Sequence, residues 1–331
     1  MVRVLCSGSF MCDIITAGLP RLGDPGDLIY APNGIQIHPG GHAANVAIDL
    51  AQLGETGIAA TGGLGEDLFG DFMEEQLLRH GVEVHAQRMT DVPTSKNVVL
   101  VVKDEDRRFY AELAANTMLS PERVRSTLEE THPKIFYQGT VGGLRLIDPV
   151  LDQVLGQARE MDTLTFVDVV YPTEGAWRNL RSGLHLIDLL HCNLRESEKL
   201  TGEGDPSKAA DILAQQGVRL AMVTMGSRGL IASTGEAKLK VPAFNVDTLD
   251  TTGAGDAFCA GVISAILGSE ALPENRLPAF QRELAEVLLK GAAAGAACVT
   301  AAGATTAVTK QRTLRLIMEQ ANDVRTRMER L

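Results

Sequence analysis

The string Asp250-Thr251-Thr252-Gly253-Ala254-Gly255-Asp256-Ala257-Phe258 sets an acid at the end of a run of small residues, where a helical pattern over Asp256–Leu267 begins. Small residues at a helix start let several backbone N–H groups converge on an anion at the positive end of the helix dipole. Glycines at 253 and 255 let the main chain come close to it. A carboxylate beside an anion site is repelled, unless its task is to accept the proton of a hydroxyl that attacks the anion. Asp also suits a helix cap, so the string alone leaves Asp256 as either a base or a cap.

Three weaker strings accompany it. Pro39-Gly40-Gly41-His42-Ala43-Ala44-Asn45-Val46-Ala47 is a Gly-rich turn entering a helix. Asn45 there either binds a polyol hydroxyl or is an ordinary helix residue, and His42 is either loop filler or a ligand contact. Asn193-Leu194-Arg195-Glu196 starts a helix after an apolar run. Its Asn and Glu are hard oxygen donors suited to Mg2+ or its waters, or else a capping pair. Val223-Thr224-Met225-Gly226-Ser227-Arg228-Gly229 reads as a nucleotide edge or a plain strand–turn–strand. No P-loop, no complete G-x-G-x-x-G, no H-E-x-x-H and no G-x-S-x-G occurs.

The elements that must hold these strings alternate between short apolar runs and amphipathic helical patterns, which predicts a largely parallel sheet. Val2–Ser7, Gly57–Thr61, Lys134–Tyr137, Thr163–Val167 and Leu220–Thr224 read as strands. Asp67–His80, Pro149–Glu160, Glu196–Leu200, Lys208–Gln216, Arg282–Val299 and Leu314–Met328 read as helices. Two regions break the alternation. Ser95–Val102 and Arg107–Ala111 form a hairpin pattern, and Ile15–His38 is irregular and rich in Pro and Gly. Together they suggest a small β-rich subdomain.

The 331 residues allow about two domains at roughly 150 residues each. The chain is 45% hydrophobic and 22% charged, ample for a packed core. A net charge of -11 excludes nucleic-acid and anionic-membrane binders that need a basic face. No apolar run has the length of a membrane span or a signal-peptide core. Five scattered cysteines without a C-x-x-C fit a reduced cytoplasmic chain.

In this order, the four strings resemble the ribokinase/PfkB carbohydrate kinase family, over nearly the whole chain. Gly8-Ser9-x-x-x-Asp13 resembles its opening strand and substrate-binding Asp. Gly40-Gly41-x-Ala43-Ala44-Asn45-x-Ala47 with Gly54 resembles its first signature, the later glycine displaced to Gly63 or Gly65. Asp250 to Asp256 resembles its second signature, and Val299-Thr300-x-x-Gly303-Ala304 its nucleotide-closing loop. The resemblance implies a three-layer α/β/α sandwich with a mostly parallel sheet: one kinase domain over 1–331, with a lid from about 11–39 and 94–112. It implies transfer of the γ-phosphoryl group of ATP to a sugar or polyol hydroxyl. Asp256 would be the base, and the amides of Gly253, Ala254 and Gly255 the anion hole. Asp13, Gly40, Gly41 and Asn45 would hold the substrate. Asn193, Thr224, Gly226, Ser227 and Gly229 would hold the nucleotide, and Glu196 would hold Mg2+ through water. Asp250, Thr252 and Gly303 would frame a K+ ion. A homodimer through the lids completes the expectation, since bare sheet edges tend to be covered.

One departure bears on the substrate. Several sugar-acid and fructose kinases carry D-x-N-x-R after a central strand, where this chain has Asp168-Val169-Val170-Tyr171-Pro172. Arg107 and Arg108 are the candidate partners for a substrate phosphate, or else the solvated charges of a hairpin. Phe10, Phe109 and Tyr110 are the candidates for stacking a nucleoside base. An unphosphorylated sugar or polyol is the first expectation and a nucleoside the second. A non-catalytic sugar or nucleotide sensor is the third, against which the intact Asp256 and glycines speak.

Overall fold

A computed structural model describes the chain except residues 104, 106, 107, 173, 174 and 270–281. The strands are β1 (Val4–Ser7), β2 (Met11–Leu19), β3 (Ile35–Gly40), β4 (Ile58–Thr61), β5 (Gly63–Gly65), β6 (Glu83–Val84), β7 (Gln87–Met89), β8 (Lys96–Val102) and β9 (Arg108–Glu112), followed by β10 (Ile135–Val141), β11 (Leu164–Val169), β12 (Leu189–Asn193), β13 (Leu220–Thr224), β14 (Leu230–Ser233), β15 (Lys238–Val241) and β16 (Glu329–Arg330). The helices are α1 (His42–Gln52), α2 (Leu68–Arg79), α3 (Pro121–Thr131), α4 (Leu151–Glu160), α5 (Arg178–Gly183), α6 (Leu194–Thr201), α7 (Pro206–Gln215), α8 (Ala254–Leu267), α9 (Arg282–Cys298) and α10 (Lys310–Thr326).

A ten-stranded sheet runs in the order β16-β15-β14-β13-β12-β11-β10-β1-β4-β6. It is parallel from β6 to β13 and antiparallel beyond. Both faces are buried, which is why its parallel strands read as apolar runs. Alternate residues feed two cores. Val4, Cys6, Ile135, Tyr137, Phe166 and Leu189 pack toward α1, α8 and α9. Leu5, Phe136, Val167 and Leu190 pack toward α4, α5 and α7. Helices on both faces of a mostly parallel sheet make the expected three layers.

Helix ends follow local chemistry. Asp67 caps α2 through Gly70 N, and Thr309 caps α10 through Arg312 N. That cap starts α10 at Lys310, ahead of the expected Leu314, because polar residues in its first turn hide the apolar period.

A second sheet of four strands runs β3-β2-β8-β9. The predicted hairpin is present as β8 and β9, antiparallel in register. Ile15–His38 was expected to be irregular throughout. Instead β2 continues to Leu19 because β3 and β8 pair with it on both sides. Its alternate residues separate two faces. Asp13 and Asn97 lie side by side on the inner face. On the other face Ile37, Ile14, Val98 and Tyr110 form one cross-strand row, with Ile37, Val98 and Tyr110 exposed. The five cysteines are buried and unpaired. No helix among the described residues is long and apolar enough to cross a membrane.

Candidate active site

The candidate residues gather at the C-terminal edge of the parallel strands, where open α/β sheets place ligands. Asn193 ends β12 and Thr224 ends β13, opposite one another in register. The first turns of α1 and α8 meet at this edge, where Asn45 Nδ2 donates to Asp256 Oδ2 at 2.8 Å. Asn45 therefore holds the acid, which was not expected of it. Its own Oδ1 has no partner.

Gly253 precedes α8 with φ +78°, and a Cβ there would meet Ala304 at 2.5 Å. Only glycine supplies that turn without strain. No side chain caps this helix end, although the Ala254 amide leans back to Thr251 O at 3.4 Å. Asp256 is 6% exposed and its Oδ1 is buried without a hydrogen-bond partner. Burial pushes its carboxyl up and Asp168 adds to this, while His42 and Asn45 oppose.

On the small-sheet side, Gly41 has φ +91°, and a Cβ there would run into the Ser9 carbonyl. Gly40 gives the same closeness to the Asp13 carboxylate. Burial pushes the Asp13 carboxyl up to about 6, against the hydrogen bond from Asn97. His38 of β3 lies against Gly303, so the small sheet rests on the loop after α9.

Asn193 and Glu196 form a reciprocal capping box at the start of α6. Asn193 Oδ1 accepts from Glu196 N at 3.0 Å, and Glu196 Oε2 accepts from Asn193 N at 2.8 Å. The cap reading of this string is thus present, and one Glu196 carboxylate oxygen is left over for a cation. Asp250 is bonded to its two proposed co-ligands: Oδ1 accepts from Thr252 N at 2.9 Å and Thr252 Oγ1 at 2.8 Å, and Oδ2 accepts from Gly303 N at 3.1 Å. These bonds hold the three residues together and take three of the roughly four acceptor sites of the carboxylate.

Thr224, Gly226, Ser227 and Gly229 line one cavity of about 610 Å³, together with Ala254, Gly255, Phe244 and Asn245. Ala292, Gly295 and Ala296 of α9 form another wall. Their small size brings α9 close to α8: a Cβ on Gly295 would meet Ala254 O at 3.1 Å. The run of Ala and Gly in the sequence was the signal for this wall, and Phe244, Asn245 and Arg327 gave none.

The aromatic candidates separate. Phe10 is fully buried against Gly62, and Phe109 and Tyr110 lie on opposite faces of the edge strand β9, 50% and 59% exposed. Arg108 pairs with Glu105, and Arg107 lies outside the described residues.

A buried polar cluster, which sequence reasoning missed, underlies Asp256. Tyr137, Asp168 and His191 sit on the adjacent strands β10, β11 and β12 and face α1 and α8. Tyr137 OH donates to Asp168 Oδ2 at 2.8 Å, and His191 Nδ1 donates to Asp168 Oδ1 at 2.7 Å. His191 Nε2 lies 3.1 Å from Thr224 Oγ1 in the cavity wall. His42 Nδ1 lies 3.2 Å from Asp168 Oδ2 and 3.6 Å from Asp256 Oδ1. Burial disfavours the Asp168 charge, yet His191 and His42 hold its carboxyl far below the usual range. The available signal was an acid and a histidine inside apolar strand runs, since burying charge is costly unless it is paired.

Ribokinase-fold structures share this architecture. Arabidopsis thaliana ribokinase, solved with ribose and ATP, gives a TM-score of 0.76 at 25% identity, over 96% of this chain and 99% of that one. A ribokinase II from E. coli, solved with ATP and Mg2+, gives 0.79 at 20% identity, over 96% and 100%. Haemophilus influenzae ribokinase is 27% identical over 317 residues, 94% of this chain and 96% of the relative. An Arabidopsis thaliana protein named fructokinase-7 is 27% identical over 315 residues, 91% and 88%. Fold and site edge thus define an α/β sugar kinase of the ribokinase type. Residues 1–311 match the pfkB family carbohydrate kinase profile, and the chain belongs to that family of ATP-dependent phosphotransferases.

Proposed function

We propose that this kinase transfers the γ-phosphoryl group of ATP to a hydroxyl of a neutral, unphosphorylated sugar or polyol, with Asp256 as base. The observation that carries this is Asp256 Oδ1, buried and without a hydrogen-bond partner, with His42 Nδ1 at 3.6 Å, while Asn45 fixes Oδ2. A buried acceptor left open is costly in an empty site, and a donor hydroxyl from substrate satisfies it. Its place on the first turn of α8 puts it beside the Gly253, Ala254 and Gly255 amides, which stabilise charge on the transferring group. Asp is a weak base, but phosphoryl transfer depends mainly on positioning and charge neutralisation.

The cavity walled by Thr224, Gly226, Ser227 and Gly229 takes the nucleotide, with Asn193 at its strand end. Mg2+, held through the open oxygen of Glu196, supplies neutralisation of phosphate charge. A monovalent cation would be framed by Asp250, Thr252 and Gly303, which the hydrogen bonds to the Asp250 carboxylate already hold together.

Asp13, Gly40, Gly41 and Asn45 take the sugar. The small sheet, from about 11–39 and 94–112 of a single 1–331 domain, acts as a lid that excludes water. Its outer row of Ile37, Ile14, Val98 and Tyr110 suits a second copy of the chain, giving a dimer through the lids. Five unpaired thiols suit a reducing cytoplasm.

The neutral acceptor follows from the cations nearby. Among the described residues Lys96 pairs with Glu112 and Arg108 Nη2 with Glu105, so a substrate phosphate or carboxylate would have to compete with these partners. Of the three candidates for stacking a nucleoside base, Phe10 is buried and Tyr110 is directed outward, and Phe109 alone shares the face of Asp13.

The test is a coupled ADP-release assay over neutral pentoses, hexoses, polyols and nucleosides. A neutral sugar or polyol is expected to give the highest kcat/KM, and a nucleoside preference overturns the substrate assignment. Asp256→Asn is expected to lose about 10²–10⁴-fold in kcat, and turnover near the parent rate overturns its role as base.

A further inference from the structure

We infer that His42 is a positioning residue for Asp256: a cation clamped between the Asp256 and Asp168 carboxylates, which keeps the base ionised inside a site that would otherwise neutralise it. This rests on the reading of Asp256 given above.

His42 is the first residue of α1 and Asp256 lies in the first turn of α8, two helices joined by the Asn45–Asp256 bond. Nδ1 of His42 faces a carboxylate oxygen from each side, Asp168 at 3.2 Å and Asp256 at 3.6 Å. Two buried carboxylates this close to one atom repel each other, and one of them gives up its charge unless a cation stands between them. A helix N-terminus disfavours a cation, so the two acids are what hold a charged imidazole at this place.

The second carboxylate is fixed from beneath. Asp168 accepts from Tyr137 and His191, and His191 reaches Thr224. Cys259 Sγ of α8 also donates to Asp168 Oδ2 at 3.7 Å, and the same oxygen faces His42. Gly255 belongs to the same construction, since a Cβ there would meet His191 Cε1 at 3.1 Å.

The surrounding charges point the same way. Among the described residues, Asp168 and Tyr137 from the sheet, Glu196 from α6, Asp49 from α1, Asp13 from the small sheet, Cys259 from α8 and Cys298 from α9 are the acidic groups that bear on the His42–Asp256 pair. His191 is the one other basic group in that set, and it is bonded to Asp168. Burial opposes charge on the His42 ring, but Asp256 and Asp168 outweigh it and raise its pKa. One contact runs the other way. Thr140 N lies 3.4 Å from Nδ1, and only a neutral ring accepts that bond. The carboxylate at 3.2 Å is the stronger claim on the atom, because a charge-assisted hydrogen bond exceeds a long neutral one.

Two measurements on the full-length protein test the inference. The first follows the imidazole of His42 by NMR against pH, with His42→Gln assigning the signal. His42 is expected to stay charged through pH 8, and a midpoint at the ordinary value of about 6.5 overturns the inference. The second compares pH profiles of kcat/KM. His42→Gln is expected to move the acid limb up by about one pH unit or more, and His42→Lys to return it toward the parent. A Gln variant with the parent profile overturns the inference, and so does a Lys variant displaced as far as Gln. Asp256→Asn keeps this separate from the earlier reading: its retained activity removes the base itself, whereas an inactive Asp256→Asn beside an unshifted His42→Gln removes only the clamp.

Discussion

The proposed anion hole and the buried cluster beneath it lie within a few ångströms of each other, yet they are built in opposite ways. The hole is contiguous chain: Gly253, Ala254 and Gly255 supply backbone groups, and their geometry follows from one turn and one helix start. The cluster is assembled from Tyr137, Asp168, His191 and His42, side chains on three strands and a helix. Backbone tools need small residues and tolerate little else. Side-chain tools need a finished fold before any of them has a partner. The hole should therefore fail by losing activity, and the cluster by losing stability as well.

Asp168→Ala is the hardest test of that difference. It strips the acceptor from Tyr137, His191 and His42 together. Breaking a buried pair by removing one partner costs about 3–5 kcal/mol. Urea unfolding should show a loss of that size alongside the loss of turnover, and an unchanged midpoint would break the comparison. Gly253→Ala comes next. Its φ of +78° and the approach of Ala304 predict about 1–3 kcal/mol of strain. Its kcat should fall further than its stability, and the reverse order would make the turn structural first.

Asp13 sharpens the comparison from the sugar side. Its carboxyl stands at about 6 in the free protein. Hydroxyls that donate to the carboxylate favour the ionised form, so bound substrate lowers that value. Affinity is therefore full above it and lost as pH falls through it. The KM for sugar should rise about tenfold per unit below pH 6, with kcat changing less, and a flat KM between pH 5 and 7 would remove Asp13 from substrate binding. The smallest effect is expected at Asn193→Ala, which removes half of a capping box. About 1 kcal/mol of stability should go, and KM for ATP should rise only if this strand end also touches the nucleotide.

The same contrast explains what could be read in advance. The three layers were legible because apolar runs and helical periods reflect burial directly, as in β1, β10 and β13. The Gly253–Asp256 turn and the Gly40-Gly41 turn were legible because their chemistry is local. The Asp168 string was visible only as a mismatch to a sugar-binding pattern. That Asp168 and His191 are cross-strand neighbours is a property of register, which no local string encodes. Asn45 was expected to hold substrate, and its bond to Asp256 depends on two helices 211 positions apart coming together. The course of β2 beyond Ile15 depended likewise on two partner strands.

The small sheet carries a consequence of its pleat. Asp13 faces the site and Ile14, its neighbour in the chain, faces out in the row with Ile37, Val98 and Tyr110. The proposed sugar contact and the apolar outer surface are thus written on alternate letters of one strand. A slip of β2 by a single residue exchanges them, putting Ile14 over the sugar and a carboxylate into the greasy row. A one-residue insertion or deletion within Met11–Leu19 would therefore spoil two surfaces in one stroke.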